Sequence, residues 1–413
     1  MPTTSSSKAT DRRCDETTDV VVRIASSMKE VPAPAWDRCA NPSIAGFDPF
    51  VSHAFLSALE ESGSASPDTG WAPHHLLVED GVGGLSAVMP LYLKGHSYGE
   101  YIFDHAWADA FERAGGRYYP KLLAAVPFTP ATGRRLLTRA DADQSQAEEI
   151  LTAGMVALAR RHGISSIHVN FADKAQWLRL GARDFLLRQD QQFHWTNENY
   201  ESFEHFLAAL SSRKRKQIRH EREAARADGI TIRWITGRDL KETHWDVFFK
   251  FYMDTGGRKW GKPYLTRKFF SLIGERMADR LLIVLCERAG RPIAGALNVI
   301  GGNTLFGRYW GCLEDHRFLH FEACYYQAID FALAHGLARV EAGAQGTHKL
   351  ARGYLPVPTY SAHWIAEPHF RTAIARYLDA ERRAVEAGIE ELASFAPFRR
   401  DRAMPAIPAE DHD

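Results

Sequence analysis

Residues 321–344, FEACYYQAIDFALAHGLARVEAGA, place apolar residues at helical spacing, stop at His335 and Gly336, and resume as a short β-rich run through Val340, Glu341 and Ala342. Residues 147–171, AEEILTAGMVALARRHGISSIHVNF, carry the same signals in the same order. At one common offset His162 falls on His335, Gly163 on Gly336, Ile164 on Leu337, Ile167 on Val340 and His168 on Glu341. A helix, a glycine stop and a strand also make up the commonest αβ connection. The position-by-position echo predicts more than that, two similar α/β units in tandem.

Helix and strand signals alternate outward from these two stretches. VVVRIA reads as a strand, and DPFVSHAFLSALEESG as a helix with Asp48 as N-cap, Pro49 at its first position and Gly63 at its end. LSAVMPLYL and YYPKLLAAVPF read as strands interrupted by proline. Residues 200–228 read as one long helical stretch closed by Gly229, followed by the strand ITIRWI and the helix LKETHWDVFFKFYMDT. FRTAIARYLDAERRAVEAGIEELASF has helical apolar spacing and is expected to pack across both units. The expected fold class is α/β (α+β). The expected division is a disordered tail over 1–18, a first unit over 19–198, a basic connecting helix over 199–228, a second unit over 229–367, and a C-terminal helix and tail over 368–413.

Bulk properties exclude several function classes. Formal net charge is zero, so affinity for nucleic acid or membrane has to come from a local patch. The five cysteines are scattered with neither CxxC nor zinc-finger spacing, which predicts a reducing compartment and no metal site. The polar start lacks the apolar core of a secretory signal, and runs such as LLIVLC are too short to cross a bilayer. A soluble, cytoplasmic protein without membrane insertion is expected. No GxGxxG after a strand, GxxxxGK[ST], HExxH or G-x-S-x-G occurs, so dehydrogenase, P-loop, zincin and hydrolase readings have no support.

Four stretches concentrate chemistry. In SSRKRKQIRHEREAAR (211–226) Arg215, Arg219 and Arg222 share one helix face, a stripe suited to phosphates, with a solvated face neutralised by Glu221 and Glu223 as the alternative. In TGGRKWGKPYLTRKFF (255–270) Arg258, Lys259 and Trp260 offer cations and a stacking surface to an anionic or planar ligand, or form an interdomain loop. LFGRYW carries Arg308 and Tyr309 to a strand end, and Glu322 opens the following helix, where a carboxylate also suits the helix dipole. Finally, ARVEAGAQGTHKLARGY (338–354) brings Glu341, His348, Lys349, Arg352 and Tyr354 to a glycine-rich strand end, the usual place for a ligand in an open α/β sheet. Glu341 or His348 could take a proton from an amine, Tyr354 could protonate a leaving group, and Lys349 and Arg352 could hold phosphate or carboxylate. The alternative is a loop tied down by ion pairs.

From DPFVSHAFLSALEESGS and YYPKLLAAVPFTPATGRRLL through RKWGKPYLTR, LFGRYWG and LHFEACYYQAIDFALAHGL to EAGAQGTHKLARGYLPVPTYSAHW, the chain resembles the FemAB-like proteins, labelled peptidoglycan biosynthesis or recognition, within the wider GNAT superfamily. The resemblance implies two tandem GNAT-like acyl-CoA N-acyltransferase domains with mixed central sheets flanked by helices. It also implies acyl-CoA or aminoacyl-tRNA as co-substrate, no tightly bound cofactor, a small-molecule or peptide acceptor, and tRNA as a candidate partner. The GNAT pyrophosphate turn R/Q-x-x-G-x-G/A is intact in neither copy. AVPFTPATGRR, with Gly133, Arg134 and Arg135, comes nearest to it. Two functions follow as expectations: an N-acyl- or aminoacyltransferase in which a substrate amine attacks the activated acyl group directly in the second-domain cleft, or a catalytically silent protein that binds peptide or cell-wall fragments.

Overall fold

A computed structural model describes residues 21–259, 263–343 and 346–399. The expected tail over 1–18 and Trp260 lie outside the described residues. In chain order the first half runs β1 (Val22–Ala25), α1 (Ala33–Ala40), α2 (His53–Glu61), β2 (Trp71–Pro73), β3 (His75–Glu79), β4 (Leu85–Met89), β5 (Leu91–Lys94), α3 (His105–Arg113), β6 (Lys121–Ala124), β7 (Leu137–Thr138), α4 (Gln144–His162), β8 (Ser166–Ala172), α5 (Lys174–Ala182) and β9 (Leu186–Thr196). The connection is α6 (Phe203–Ala209) and α7 (Ser212–Ala225). The second half runs β10 (Ile230–Thr236), α8 (Glu242–Lys259), α9 (Arg267–Met277), β11 (Leu281–Arg288), β12 (Arg291–Ile300), β13 (Thr304–Cys312), α10 (Leu319–Phe321), a π-helical turn Glu322–Tyr326, α11 (Gln327–Ala334), β14 (Arg339–Glu341) and β15 (Leu355–Ile365), and α12 (Pro368–Ser394) follows.

Local chemistry sets these boundaries. The Asp143 carboxylate accepts the Gln146 amide at the start of α4, and Gly163, at φ 62°, ends it. The stretch expected as one helix from Pro49 divides in two. Asp48 caps only a 3₁₀ turn, and Ser52, extended at ψ 148°, accepts the Phe55 amide and starts α2 afresh. The long connecting helix divides likewise, because extended Leu210 separates α6 from α7. Pro90 lies between β4 and β5, where the chain leaves a four-stranded sheet (β1-β3-β4-β7) for an eleven-stranded one.

The large sheet has the order β10-β11-β12-β13-β14-β9-β15-β8-β6-β5-β2. Its two parallel pairs, β6 with β8 and β13 with β14, are in equivalent register: Leu122 faces Ile167 and Leu123 faces His168, while Leu305 faces Val340 and Phe306 faces Glu341. The offset seen in the sequence is therefore the structural one. Ile167 and Val340 enter the apolar cores beneath α4 and α11. By the two-residue period of a strand, His168 and Glu341 look to the opposite face.

Strand exchange joins the halves. β9, the last strand of the first half, pairs with β14 and β15, and β15 in turn pairs with β8. On the face of Glu341 the halves also share an aromatic core, with Phe50 against Phe306 at 4.9 Å and Phe55 against Phe269 at 5.6 Å. α12 crosses β9 and β15. Its Ile374 and Leu378 are buried with Trp107, and its Leu392 packs against the second half's core. Residues 21–198 expressed alone should therefore show no cooperative thermal transition, and mixing with 199–399 should restore one. A first half that melts cooperatively by itself would contradict the exchange.

Candidate active site

A cavity of about 480 Å³ opens between the halves. Asp48, Thr132, Arg134 and Lys174 contribute from the first half, and Thr304, Phe306, Arg339 and Glu341 from β13 and β14, with His194 of β9 between them. Glu341 is buried; its carboxylate lies 3.8 Å from His194 Nε2 and 3.5 Å from Arg339 Nε. Burial, reinforced by Arg339 and Lys349, pushes His194 well below its ordinary range, so it stands beside Glu341 as a neutral imidazole. The arrangement offers a proton-accepting carboxylate oxygen within a basic rim.

Only part of the glycine-rich cluster shares that cavity. His348 lies on the α11 side of the sheet, its Nε2 2.9 Å from the Tyr325 hydroxyl. The Lys349 ammonium donates to the Gly343 carbonyl at 2.8 Å, and burial pushes it down to about 8. Arg352 donates from Nη2 to both Glu221 carboxylate oxygens at 2.8 and 2.9 Å, and its guanidinium stacks over Phe321 at 3.4 Å. Tyr354 is fully buried, donates to the Tyr325 carbonyl at 3.1 Å, and is raised well above its ordinary value by burial. Beyond the loop, Arg308 and Tyr309 donate to the Phe128 carbonyl at 2.6 and 3.3 Å, fastening β13 to the first half. Glu322 is fully buried and accepts from Arg222 at 3.1 Å, Arg226 at 2.8 Å and Gln327 at 2.7 Å.

The arginine stripe on α7 is divided accordingly. Arg222 turns inward, Arg219 pairs with exposed Glu204 at 2.5 Å, and Arg215 is half-buried. Arg258 and Lys259 close α8, and their side chains, like Trp260, lie outside the described residues. Among the described residues no group of three or more His, Cys, Asp or Glu could hold a metal ion, and no helix is long and apolar enough to cross a membrane.

In the first half the place equivalent to Glu341 is sealed. His168 meets His363 of β15 at 2.7 Å between Nδ1 atoms, its Nε2 lies 2.9 Å from Ser166 Oγ, and Trp107 of α3 covers His363 at 5.0 Å. Nearby, the Lys121 ammonium donates to Glu100 at 2.8 Å, Asp104 at 2.5 Å and Ser97 at 2.8 Å. Beyond Ala124, where β6 leaves β8, Gly133 bridges to Ala172 instead, and buried Arg135 donates to the Asn170 and Ala131 carbonyls at 3.0 and 2.6 Å. A Cβ at Gly133 would lie 2.4 Å from Asp48 Oδ2, so a larger residue here would have to displace the Asp48 carboxylate. AVPFTPATGRR is thus a plug between strands; its amides cap no helix, and it does not form the phosphate turn to which it comes nearest in sequence.

A family model for FemAB-like proteins, described as peptidoglycan biosynthesis/recognition, matches residues 27–400. The chain belongs to the FemAB-like family. Among solved structures it is similar to FemX, at 12% identity and a TM-score of 0.51 over 86% of this chain and 100% of that one. It is also similar to the C-terminal domain of a putative lysylphosphatidylglycerol synthetase from Agrobacterium fabrum, at 9% identity and a TM-score of 0.50 over 83% and 95%. A tandem GNAT protein from the clavulanic acid biosynthesis pathway aligns at 11% identity and a TM-score of 0.44 over 85% and 99%. No curated protein sequence matches. The likenesses to FemX and to the synthetase domain are of fold; two similar α/β units in tandem are what the sequence echo predicts, and their tandem GNAT-like form is what the FemAB-like resemblance implies.

Three polar residues of this cavity, His194, Arg339 and Lys174, are not among the candidates the sequence offers. His194 stands beside Glu341 only because β9 crosses to β14, and nothing in the sequence announces that pairing. Arg339 was readable, since it lies two positions before Glu341 and shares its face of the strand. The sealed histidines carry a pH prediction for the FemAB-like fold. Burial pushes His168 down to about 3 and His363 well below its ordinary range, against about 6.5 in an unfolded chain. Below pH ~6.5 the unfolded chain binds protons that the folded one refuses, so stability falls with pH by up to about 1.4 kcal/mol per unit for each such histidine, until the folded value is reached. Urea midpoints at pH 7.5, 6.0 and 5.0 should fall in that order, and His168→Gln should flatten the slope.

Proposed function

We propose that this FemAB-like protein is a cytoplasmic N-acyl- or aminoacyltransferase whose chemistry takes place at the second half's parting strands, β13 and β14. The observation that carries the reading is the asymmetry of the two equivalent strand ends. Glu341 looks into an open cavity, whereas His168 is covered and the gap beside β8 is filled by Arg135. The acceptor amine enters the cavity, where Arg134, Lys174 and Arg339 attract carboxylates of a small-molecule or peptide substrate. The donor, acyl-CoA or aminoacyl-tRNA, approaches from the α11 face, where His348 and Lys349 stand; Arg215 at the start of α7 is placed to meet a phosphate.

The amine nitrogen attacks the acyl carbon, forming a C–N bond as the C–S or C–O bond to the donor breaks. Glu341 takes the amine proton and the departing sulfur or oxygen recovers one, so the step balances as acyl donor plus amine to amide plus thiol or alcohol. Incubation with acetyl-coenzyme A, or with charged tRNA, and a lysine-containing peptide should yield a peptide heavier by one acyl or aminoacyl group in mass spectrometry. A thermal shift with muropeptides and no such product would favour the silent binding protein.

A further inference from the structure

Asn298 sits mid-strand in β12, 1% exposed, in register with Leu282 of β11 on one side and Gly307 of β13 on the other. Its face is the apolar one beneath α11, where Leu282, Val284 and Ala296 pack. Neither the carboxamide nitrogen nor its oxygen has a hydrogen-bond partner among the described residues. A buried amide with both ends unmet is costly, and a leucine or valine would suit a central strand better. Packing gives no reason for an asparagine here.

Its surroundings do. Opposite it stands a residue without a side chain: a Cβ at Gly307 would lie 3.6 Å from Asn298 Oδ1 and 3.4 Å from the Glu341 carbonyl. Gly343, at φ 75°, comes next, 3.7 Å from the Gly307 carbonyl at its own Cβ position, and the Gly343 carbonyl holds the Lys349 ammonium at 2.8 Å. β13 and β14 are paired only as far as Phe306 with Glu341, so this glycine seam lies where they part. A β-bulge falls at the same point: Leu297 faces Tyr309 and Asn298 faces Gly307, leaving Arg308 as the extra residue. The π-helical turn Glu322–Tyr326 packs over β12. Bulges and π turns both gather beside functional sites.

We infer that the Asn298 carboxamide binds the carbonyl oxygen of the transferring acyl group and stabilises the negative charge that develops there. The inference rests on the transferase reading and adds to it a residue on the other face of the sheet from Glu341. The amine attacks from the cavity side, where Glu341 takes its proton. The carbonyl oxygen, negative in the tetrahedral intermediate, lies across the seam against the Asn298 N–H. The carbonyl re-forms as the donor sulfur or oxygen leaves with a proton. The amide contributes only hydrogen bonding, with Nδ2 as the donor.

Asn298→Leu tests this in the full chain, with acetyl-coenzyme A and charged tRNA as donors and a lysine-containing peptide as acceptor. Turnover should fall roughly 100-fold or more, as for the loss of one oxyanion donor. The melting temperature should hold or rise, because leucine removes the unmet amide. Asn298→Asp, which keeps the shape and loses the N–H, should be equally slow. Wild-type turnover in Asn298→Leu, with or without a lower melting temperature, overturns the role of Asn298 and leaves the transferase reading standing. A wild-type protein that neither transfers from nor binds either donor overturns both.

Discussion

Glu341→Gln should lower acyl transfer by roughly 100- to 10,000-fold while the protein melts as the wild type does. Glutamine keeps the shape and the hydrogen-bonding oxygen of the side chain but cannot accept the amine proton. The residue sits at the last paired position of β14, where the strand is held by β13 on one side and β9 on the other, so an isosteric change leaves the backbone ladder intact. His194 is not placed to take over, because the same burial that keeps it neutral opposes its protonation. His348→Ala separates the two faces of the site. Since His348 bonds to Tyr325 on the α11 side, its loss should act on donor affinity before it acts on the chemical step. Turnover measured with saturating donor, and again at limiting donor, distinguishes the two substitutions.

Arg352→Ala should destabilise the fold by about 3–5 kcal/mol, the usual cost of removing one partner from a buried ion pair. Arg352 and Glu221 are both buried, Glu221 also accepts from Tyr326, and the guanidinium lies over Phe321. Alanine would leave the Glu221 carboxylate in the interior with a phenol and the Gln217 amide as its remaining donors. Because Glu221 is on α7 and Arg352 on the loop before β15, the damage should loosen the connecting helix from the second half. Replacing both partners together, Glu221→Leu with Arg352→Met, should cost less than Arg352→Ala alone, since no unpaired charge is left behind. Urea denaturation of the three variants measures this, and additive losses would argue against a coupled pair.

The fold was legible because its decisive signal is local. The helix, the Gly163 or Gly336 stop and the strand that follows are each written within about twenty-five residues, and their echo gave both the two copies and the register of His168 against Glu341. Charge was much harder to read. Arg222 looks like a surface cation until the helix bearing Glu322 and Asp330 folds onto it, and Glu221 looks like surface neutralisation until Arg352 arrives from 131 positions away. Density misled in the same way: Glu341, His348, Arg352 and Tyr354 are neighbours in sequence but lie on two faces of one sheet. Long-range strand exchange, which brings His194 to Glu341, leaves no mark in composition or periodicity.

Hydrogen–deuterium exchange of the full chain with saturating acyl donor, acetyl-coenzyme A or charged tRNA, tests most directly whether the second half carries the chemistry. Protection of peptides covering residues 304–312 and 346–354, with 121–135 and 166–172 unchanged, is the expected result. Protection of 121–135 and 166–172 without change at the second pair of strands would contradict it.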